Sequence, residues 1–329
     1  MRILITGGMG FVGRHFALKF LERDEHEVLI VDSLYSGLPP NLWYRQPRYG
    51  ERLTTRQADV RAWFRERRAV PDDFDLIIHC AAVVGGRLKI DGDPLAVATD
   101  LSIDSEFFDW VVRGKFLPKV VYFSSSAVYP LELQRREQHC DLGEYLVSFD
   151  NYRLARPDRT YGWAKLSGEY LAGIAAKEYG LDVRIYRPFG GYGEDQSFDY
   201  PFPSIVRRVL RGENPVTVWG SGEQLRDFIH IDDIVDGVLE TLRLPPGEVL
   251  NLGTGIPTSF VGLAAAVCKV LERPARVVTD KDKPEGVFRR VADVAKMEQH
   301  YKPKVWLEQG ILRVGEHLQK VLDGTRLPV

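Results

Sequence analysis

At 329 residues the chain can bury a sizeable core, as one large domain or two smaller ones. Lys and Arg total 44 against 46 for Asp and Glu, a net charge of −2, so there is no basic footprint for nucleic acid or an anionic membrane surface. No apolar run is long enough to span a bilayer, and Cys80, Cys140 and Cys268 show no metal-ligand spacing, as expected for reduced thiols of a cytoplasmic protein.

Arg2-Ile3-Leu4-Ile5 reads as a buried first strand, and its position at the N-terminus leaves no room for a signal peptide. The turn Thr6-Gly7-Gly8-Met9-Gly10-Phe11-Val12-Gly13 follows at once, and Phe11 to Glu22 then carry a helical pattern. In that context the glycines form a dinucleotide fingerprint. Gly7 allows the tight turn, Gly10 lets the backbone approach a pyrophosphate, and Gly13 lets the helix pack close to the strand. The N–H groups at the helix start, with Phe11 and Val12 beside them, favour phosphate. A second apolar run, Val28 to Val31, ends in Asp32, which follows Gly13 by 19 residues. A carboxylate there accepts from both ribose hydroxyls and repels a 2′-phosphate, so NAD is expected over NADP.

Strand-like runs at Thr54–Asp59, Leu76–Ala82, Val120–Ser124 and Val183–Tyr186 alternate with helical stretches near Ala96–Val112 and Tyr161–Tyr179. Alternation of this kind predicts a parallel sheet covered on both faces. The expected class is α/β: a Rossmann-like doubly wound parallel sheet with a smaller C-terminal α/β substrate domain. Residues 1–188 would bind the dinucleotide and 189–329 the substrate, with segments near 216–245 returning to the first. In the second part helices are expected near Phe202–Arg211, Asp232–Leu242, Ser259–Leu271 and Leu307–Leu322, and a strand at Val216–Trp219. Between Tyr129 and Tyr161 runs a loop of roughly thirty residues, a length that suggests a lid over a site.

Two features carry chemistry. Val120 to Phe123 is an apolar run ending in Ser124, Ser125 and Ser126, and in an open parallel sheet ligands sit beyond such strand ends. Downstream, Tyr161 and Lys165 are four residues apart, on one face of a helix. The Lys165 ammonium should lower the Tyr161 phenol pKa, so that the phenol exchanges a proton with a sugar hydroxyl while hydride moves to or from a nicotinamide.

With these residues the chain resembles the extended branch of the short-chain dehydrogenase/reductase superfamily, the NAD-dependent nucleotide-sugar epimerases and dehydratases. The resemblance also rests on Asp59-Val60, His79-Cys80-Ala81-Ala82, Arg187-Pro188-Phe189 and the segment from Arg226 to Asp233. It implies Ser125, Tyr161 and Lys165 as the catalytic group. It implies cofactor contacts at Gly7, Gly10, Phe11, Val12, Gly13, Asp32, Asp59, Val60, Ala81, Ala82 and Pro188, besides Tyr161 and Lys165. Gly85, Gly86, Ser126, Trp219, Arg226 and Arg289 are implied for the substrate, with Arg226 gripping a nucleotide diphosphate. No metal is implied, and relatives are mostly homodimers. Local details, Gly85-Gly86 and Tyr129-Pro130, are similar to GDP-fucose synthase and GDP-mannose 3,5-epimerase. Both place a catalytic Cys where Ala127 stands, and alanine abstracts no proton from C3 or C5. What remains is oxidoreduction at C4 of a GDP- or UDP-linked sugar: a 4-epimerase first, with a 4-dehydrogenase or 4-keto reductase, or a GDP-mannose 3,5-epimerase-like enzyme, as the alternatives. An NAD-binding scaffold without catalysis is the reading from outside enzymology.

Overall fold

The computed structural model describes residues 1–44, 50–67, 73–85, 92–149 and 156–324. In chain order the elements are β1 (Arg2–Thr6), α1 (Phe11–Leu21), β2 (Glu27–Asp32), β3 (Leu53–Gln57), α2 (Val60–Glu66), β4 (Leu76–His79), α3 (Thr99–Val112), β5 (Lys119–Phe123), α4 (Arg159–Tyr179) and β6 (Asp182–Pro188). Then follow α5 (Pro201–Leu210), β7 (Val216–Trp219), β8 (Leu225–Asp227), α6 (Ile231–Thr241), β9 (Val249–Leu252), β10 (Pro257–Ser259), α7 (Phe260–Val270), β11 (Val277–Asp280), β12 (Arg289–Arg290) and α8 (Leu307–Leu322). The expected elements recur within a few residues. The short strands β8 to β12 go beyond the sequence reading, because runs of two to four residues hold too little periodicity to read.

Seven strands form one parallel sheet in the order β3-β2-β1-β4-β5-β6-β9. Its inner strands β1, β4 and β5 are near-continuous apolar runs because both faces are covered, whereas the edge strand β3 is mostly polar and exposed. On β1, Ile3 and Ile5 point to one face, under α1 and α6, where they pack with Phe16, Phe20, Ile234 and Val238. Leu4 points to the other, with Trp63 and Phe64 of α2, Phe107 and Trp110 of α3 and Ala172 of α4. The register sets Thr6 level with Val31 and His79, and His79 level with Tyr122. The residues that follow, Gly7, Cys80 and Ser124, therefore emerge at one edge, on both sides of the β1/β4 switch point where ligands of such sheets bind.

The remaining strands belong to a second lobe, a three-stranded sheet β10-β8-β12 and a pair β11-β7. Its core joins Phe202, Ile205, Val218, Leu263, Val267, Ile311 and Val314. One of the crossings between the lobes falls at a single peptide: Phe228 packs in the second core and Ile229 in the first. Within the segment 216–245, β7 pairs with β11 in the second lobe, and α6 lies against the main sheet. The sheet also takes β9, which lies beyond that segment. Among the described residues no helix is long and apolar enough to cross a membrane, and no cluster has the makings of a metal site.

Candidate active site

The glycine turn is built by close approach. Gly7 has φ +70°, and a Cβ on it would lie 2.7 Å from the Ala81 backbone. A Cβ on Gly13 would lie 2.5 Å from the Gly7 carbonyl oxygen. Side chains at either position would force the turn apart, so the tight turn that fits a dinucleotide requires glycine there. Asp32, at the end of β2, is buried beside the turn and accepts from Met9 N at 2.9 Å and Leu34 N at 2.7 Å. Burial raises its pKa, against the pull of those N–H groups. Ala81 is buried against the turn, and Ala82 and Gly85 are half-buried on the chain leaving β4. Phe11 and Val12 open α1 half-buried, and Pro188 ends β6. Asp59 caps α2 through Arg61 N at 2.9 Å and is held below its ordinary pKa by its ion pair with the Arg61 guanidinium. The Val60 side chain is part of the core beneath.

The trio expected to be catalytic comes together from two elements. After β5 the chain enters a single helical turn, Ser126–Val128, capped by the Ser125 hydroxyl, which accepts from Ala127 N at 3.1 Å. The start of α4 rests on this turn: Asp158 N donates to the Ala127 carbonyl at 2.8 Å. A Cβ on Gly162 would lie 2.5 Å from the same oxygen, so only glycine lets the helix approach this closely. Tyr161 is thereby brought near the Ser125 side chain, whose hydroxyl favours the phenolate, with Lys165 one turn along and buried.

The electrostatics correct one expectation. Burial pushes the Tyr161 phenol up, and Asp100 and Asp104 add to this, while Lys165 and Ser125 pull it down. The net direction is upward, because desolvation of the phenolate outweighs the ammonium. Burial also works against the Lys165 charge, yet Asp104, Tyr161 and Asp100 together hold its pKa above the ordinary value.

These supports were not read from the sequence. Asp100 and Asp104 are fully buried on α3. Asp104 accepts from Tyr122 Oη at 2.5 Å and from His79 Nε2 at 3.2 Å, and His79 Nδ1 meets Thr6 Oγ1 at 2.7 Å. Lys165 Nζ lies 5.4 Å from the Tyr122 ring centroid. Beneath the serine turn, Glu169 takes two bonds from Arg187, at 2.8 and 2.7 Å, and one from Ser124 Oγ. Arg187 also donates to Tyr129 Oη at 3.1 Å, and Tyr129 donates to Asn251 at 2.6 Å. A visible signal was two acids four apart on the apolar face of α3.

Of the expected substrate residues, Gly86 lies outside the described residues. Ser126 is buried in the serine turn. Trp219 ends β7 with its ring exposed, and the half-buried Arg226 of β8 sets its guanidinium over Phe260, 5.6 Å from the centroid. Arg289 is paired with Asp141, which links the second lobe to the loop after Tyr129. The described part of that loop is pinned down: Leu142 is fully buried and bridges to Ala292, and Glu144 accepts from Asn251 N at 2.8 Å. The α3 residues Phe107, Phe108, Trp110 and Val111 fill the chain's own core. Cys80 stands beside the cofactor turn, but burial pushes its thiol up to about 12, which leaves it inert as a nucleophile at neutral pH.

Comparison with known proteins shows the family. The chain is 28% identical over 312 residues to a dTDP-4-dehydro-6-deoxy-D-allose reductase of a Streptomyces species, covering 90% of this chain and 89% of the relative. It is also 28% identical over 324 residues to a putative UDP-glucose 4-epimerase of Methanocaldococcus jannaschii, covering 95% and 96%. The crystal structure of a UDP-glucuronic acid 4-epimerase from Bacillus cereus, in complex with UDP-glucuronic acid and NAD, superposes with a TM-score of 0.80 at 25% identity, covering 98% of this chain and 100% of that one. The profile of the NAD dependent epimerase/dehydratase family matches residues 3–253. With the glycine cradle, the parallel sheet and that match together, the chain belongs to the NAD dependent epimerase/dehydratase family and is an NAD-dependent enzyme of this type.

Proposed function

We propose that the protein is a nucleotide-sugar 4-epimerase acting on a GDP- or UDP-linked hexose or heptose. The observation that carries this reading is the composition of the trio. Ser125, Tyr161 and Lys165 supply one proton-exchanging centre, while the neighbouring position that could serve a second one is Ala127, which has no acid or base. A single centre suits one alcohol carbon and no more. NAD, when bound, accepts hydride from that carbon and returns it. Tyr161 takes the proton from the C4 oxygen and gives it back in the reverse step. Ser125, beside the phenol, would share the same oxygen and help to position it. Lys165, kept charged by Asp104 and Asp100, opposes the cost of forming the phenolate. Arg226 would hold the diphosphate and Trp219 the base. Release of the ketone, or its supply from outside, would make the same trio a 4-dehydrogenase or 4-keto reductase, and the Streptomyces reductase favours that second reading. The enzyme would act as a homodimer through the outer faces of α3 and α4, where Leu101, Trp163 and Tyr170 are exposed.

Proton NMR of the enzyme with a panel of GDP- and UDP-sugars in heavy water tests the proposal. A C4 epimer without ring deuterium is the expected product. Deuterium at C3 or C5 would refute the 4-epimerase, and a 4-keto product without epimer would replace it with the dehydrogenase.

A further inference from the structure

Between the serine turn and the start of α4, the chain and the Gly286–Phe288 segment of the second lobe enclose a cavity of about 710 Å³. That size lies within the range of small-molecule sites. Among the described residues four arginines, Arg135, Arg136, Arg156 and Arg159, and one carboxylate, Asp158, line it. Asp158 is buried and already bonded by Arg290 at 3.0 Å. Arg136 pairs with Glu223 at 2.7 Å and lies over the Phe288 ring, 4.2 Å from its centroid. Arg135 and Arg156 are exposed, and neither has an ion-pair partner among the described residues.

The walls are preformed. Leu131 N donates to the Arg156 carbonyl at 3.0 Å and Phe288 N to the Gln134 carbonyl at 3.0 Å. The buried Gln134 bonds the Tyr129 carbonyl at 3.0 Å and receives Arg290 Nε at 2.7 Å. Neither the catalytic trio nor Trp219 nor Arg226 takes part in the lining. Arg226 stands close behind it: a Cβ on Gly286 would be 3.5 Å from the Arg226 guanidinium.

We propose that this cavity is a second anion site, for a phosphate-bearing small molecule distinct from the nucleotide sugar. An excess of guanidinium in a concave, water-facing pocket holds a positive potential, and the planar fork of each group matches phosphate oxygens. The Arg136–Phe288 stack adds a flat wall for the organic part of the ligand. Because Asp158 and Arg159 lead directly into α4, an occupant touches the chain two residues before Tyr161.

Calorimetric titration of the NAD-loaded protein with inorganic pyrophosphate tests this. Binding is expected, weakened by roughly tenfold or more in Arg135→Ala/Arg156→Ala. A saturating nucleoside diphosphate, or Arg226→Ala, should leave it unchanged. The double variant alters two exposed side chains, and retained NAD binding would show that it is folded. No binding, or equal binding by the double variant, would overturn the site. Displacement by a nucleoside diphosphate together with loss in Arg226→Ala would also overturn it, by assigning the anion to the substrate position. None of these readings depends on which reaction the enzyme performs.

Discussion

At the scale of single residues, the site is a balance between burial and charge. Tyr161 is disfavoured as a phenolate by its surroundings, and in the proposed reaction the Lys165 ammonium and the Ser125 hydroxyl oppose that cost. Tyr161→Phe and Lys165→Met should each lower turnover by roughly three orders of magnitude or more while NAD stays bound. Single-turnover rates and the absorbance of retained cofactor would check both. Asp104 acts from behind: its charge raises the pKa of both Lys165 and Tyr161. In Asp104→Asn both values fall, so the limbs of the pH profile of kcat/KM set by these two groups should move to lower pH. An unshifted profile would mean that Asp104 serves only to bond Tyr122 and His79.

At the scale of elements, α4 is the part that aligns the site, and its contacts on the sheet tolerate little change. A Cβ on Gly168 would lie 1.8 Å from Tyr122 Oη and 2.4 Å from Asp104 Oδ2. Gly168→Ala should therefore displace the helix or the network, at about 1–3 kcal/mol in urea unfolding, despite the better helix propensity of alanine. One residue further along, Glu169 is fully buried against Arg187. Glu169→Gln would leave the guanidinium uncompensated, and a loss on the order of 3–5 kcal/mol is expected, read from the same unfolding curves. These costs share one cause, a close-packed interior with charged groups between a helix and the strand ends it covers.

At the scale of the whole molecule, ion pairs on the 190s segment tie the lobes together. Burial opposes the Glu194 charge, but His230 and Arg313 pull its pKa down to about 2 from 4.5. Asp195, bonded to His15 and to Arg14 of α1, is likewise held far below the ordinary range. Both folded-state values lie below the unfolded ones. Their contribution is therefore complete above about pH 4.5 and is lost as the pH falls towards about 2. Thermal unfolding across that window should show a steep loss of stability, and Glu194→Gln should flatten it. An unchanged slope would place the acid sensitivity elsewhere.

The sequence alone determined the sheet and the cofactor and pointed to the proposed trio, since each rests on local pattern. Apolar runs bounded by helices predict parallel strands, the glycine turn sits directly between β1 and α1, and Tyr161 and Lys165 share a helical face. Only the tertiary structure decided what surrounds them. Asp104 lies far from Tyr122 and Lys165 in the chain, and its role exists only because β5, α3 and α4 pack together. The crossing at Phe228–Ile229 and the edge strand β9 were hidden for a similar reason, because four residues carry no period of their own and gain their identity from β6 beside them. The sign of the Tyr161 shift was hidden as well. Spacing reveals the lysine, but the cost of burying a phenolate is a property of the folded interior.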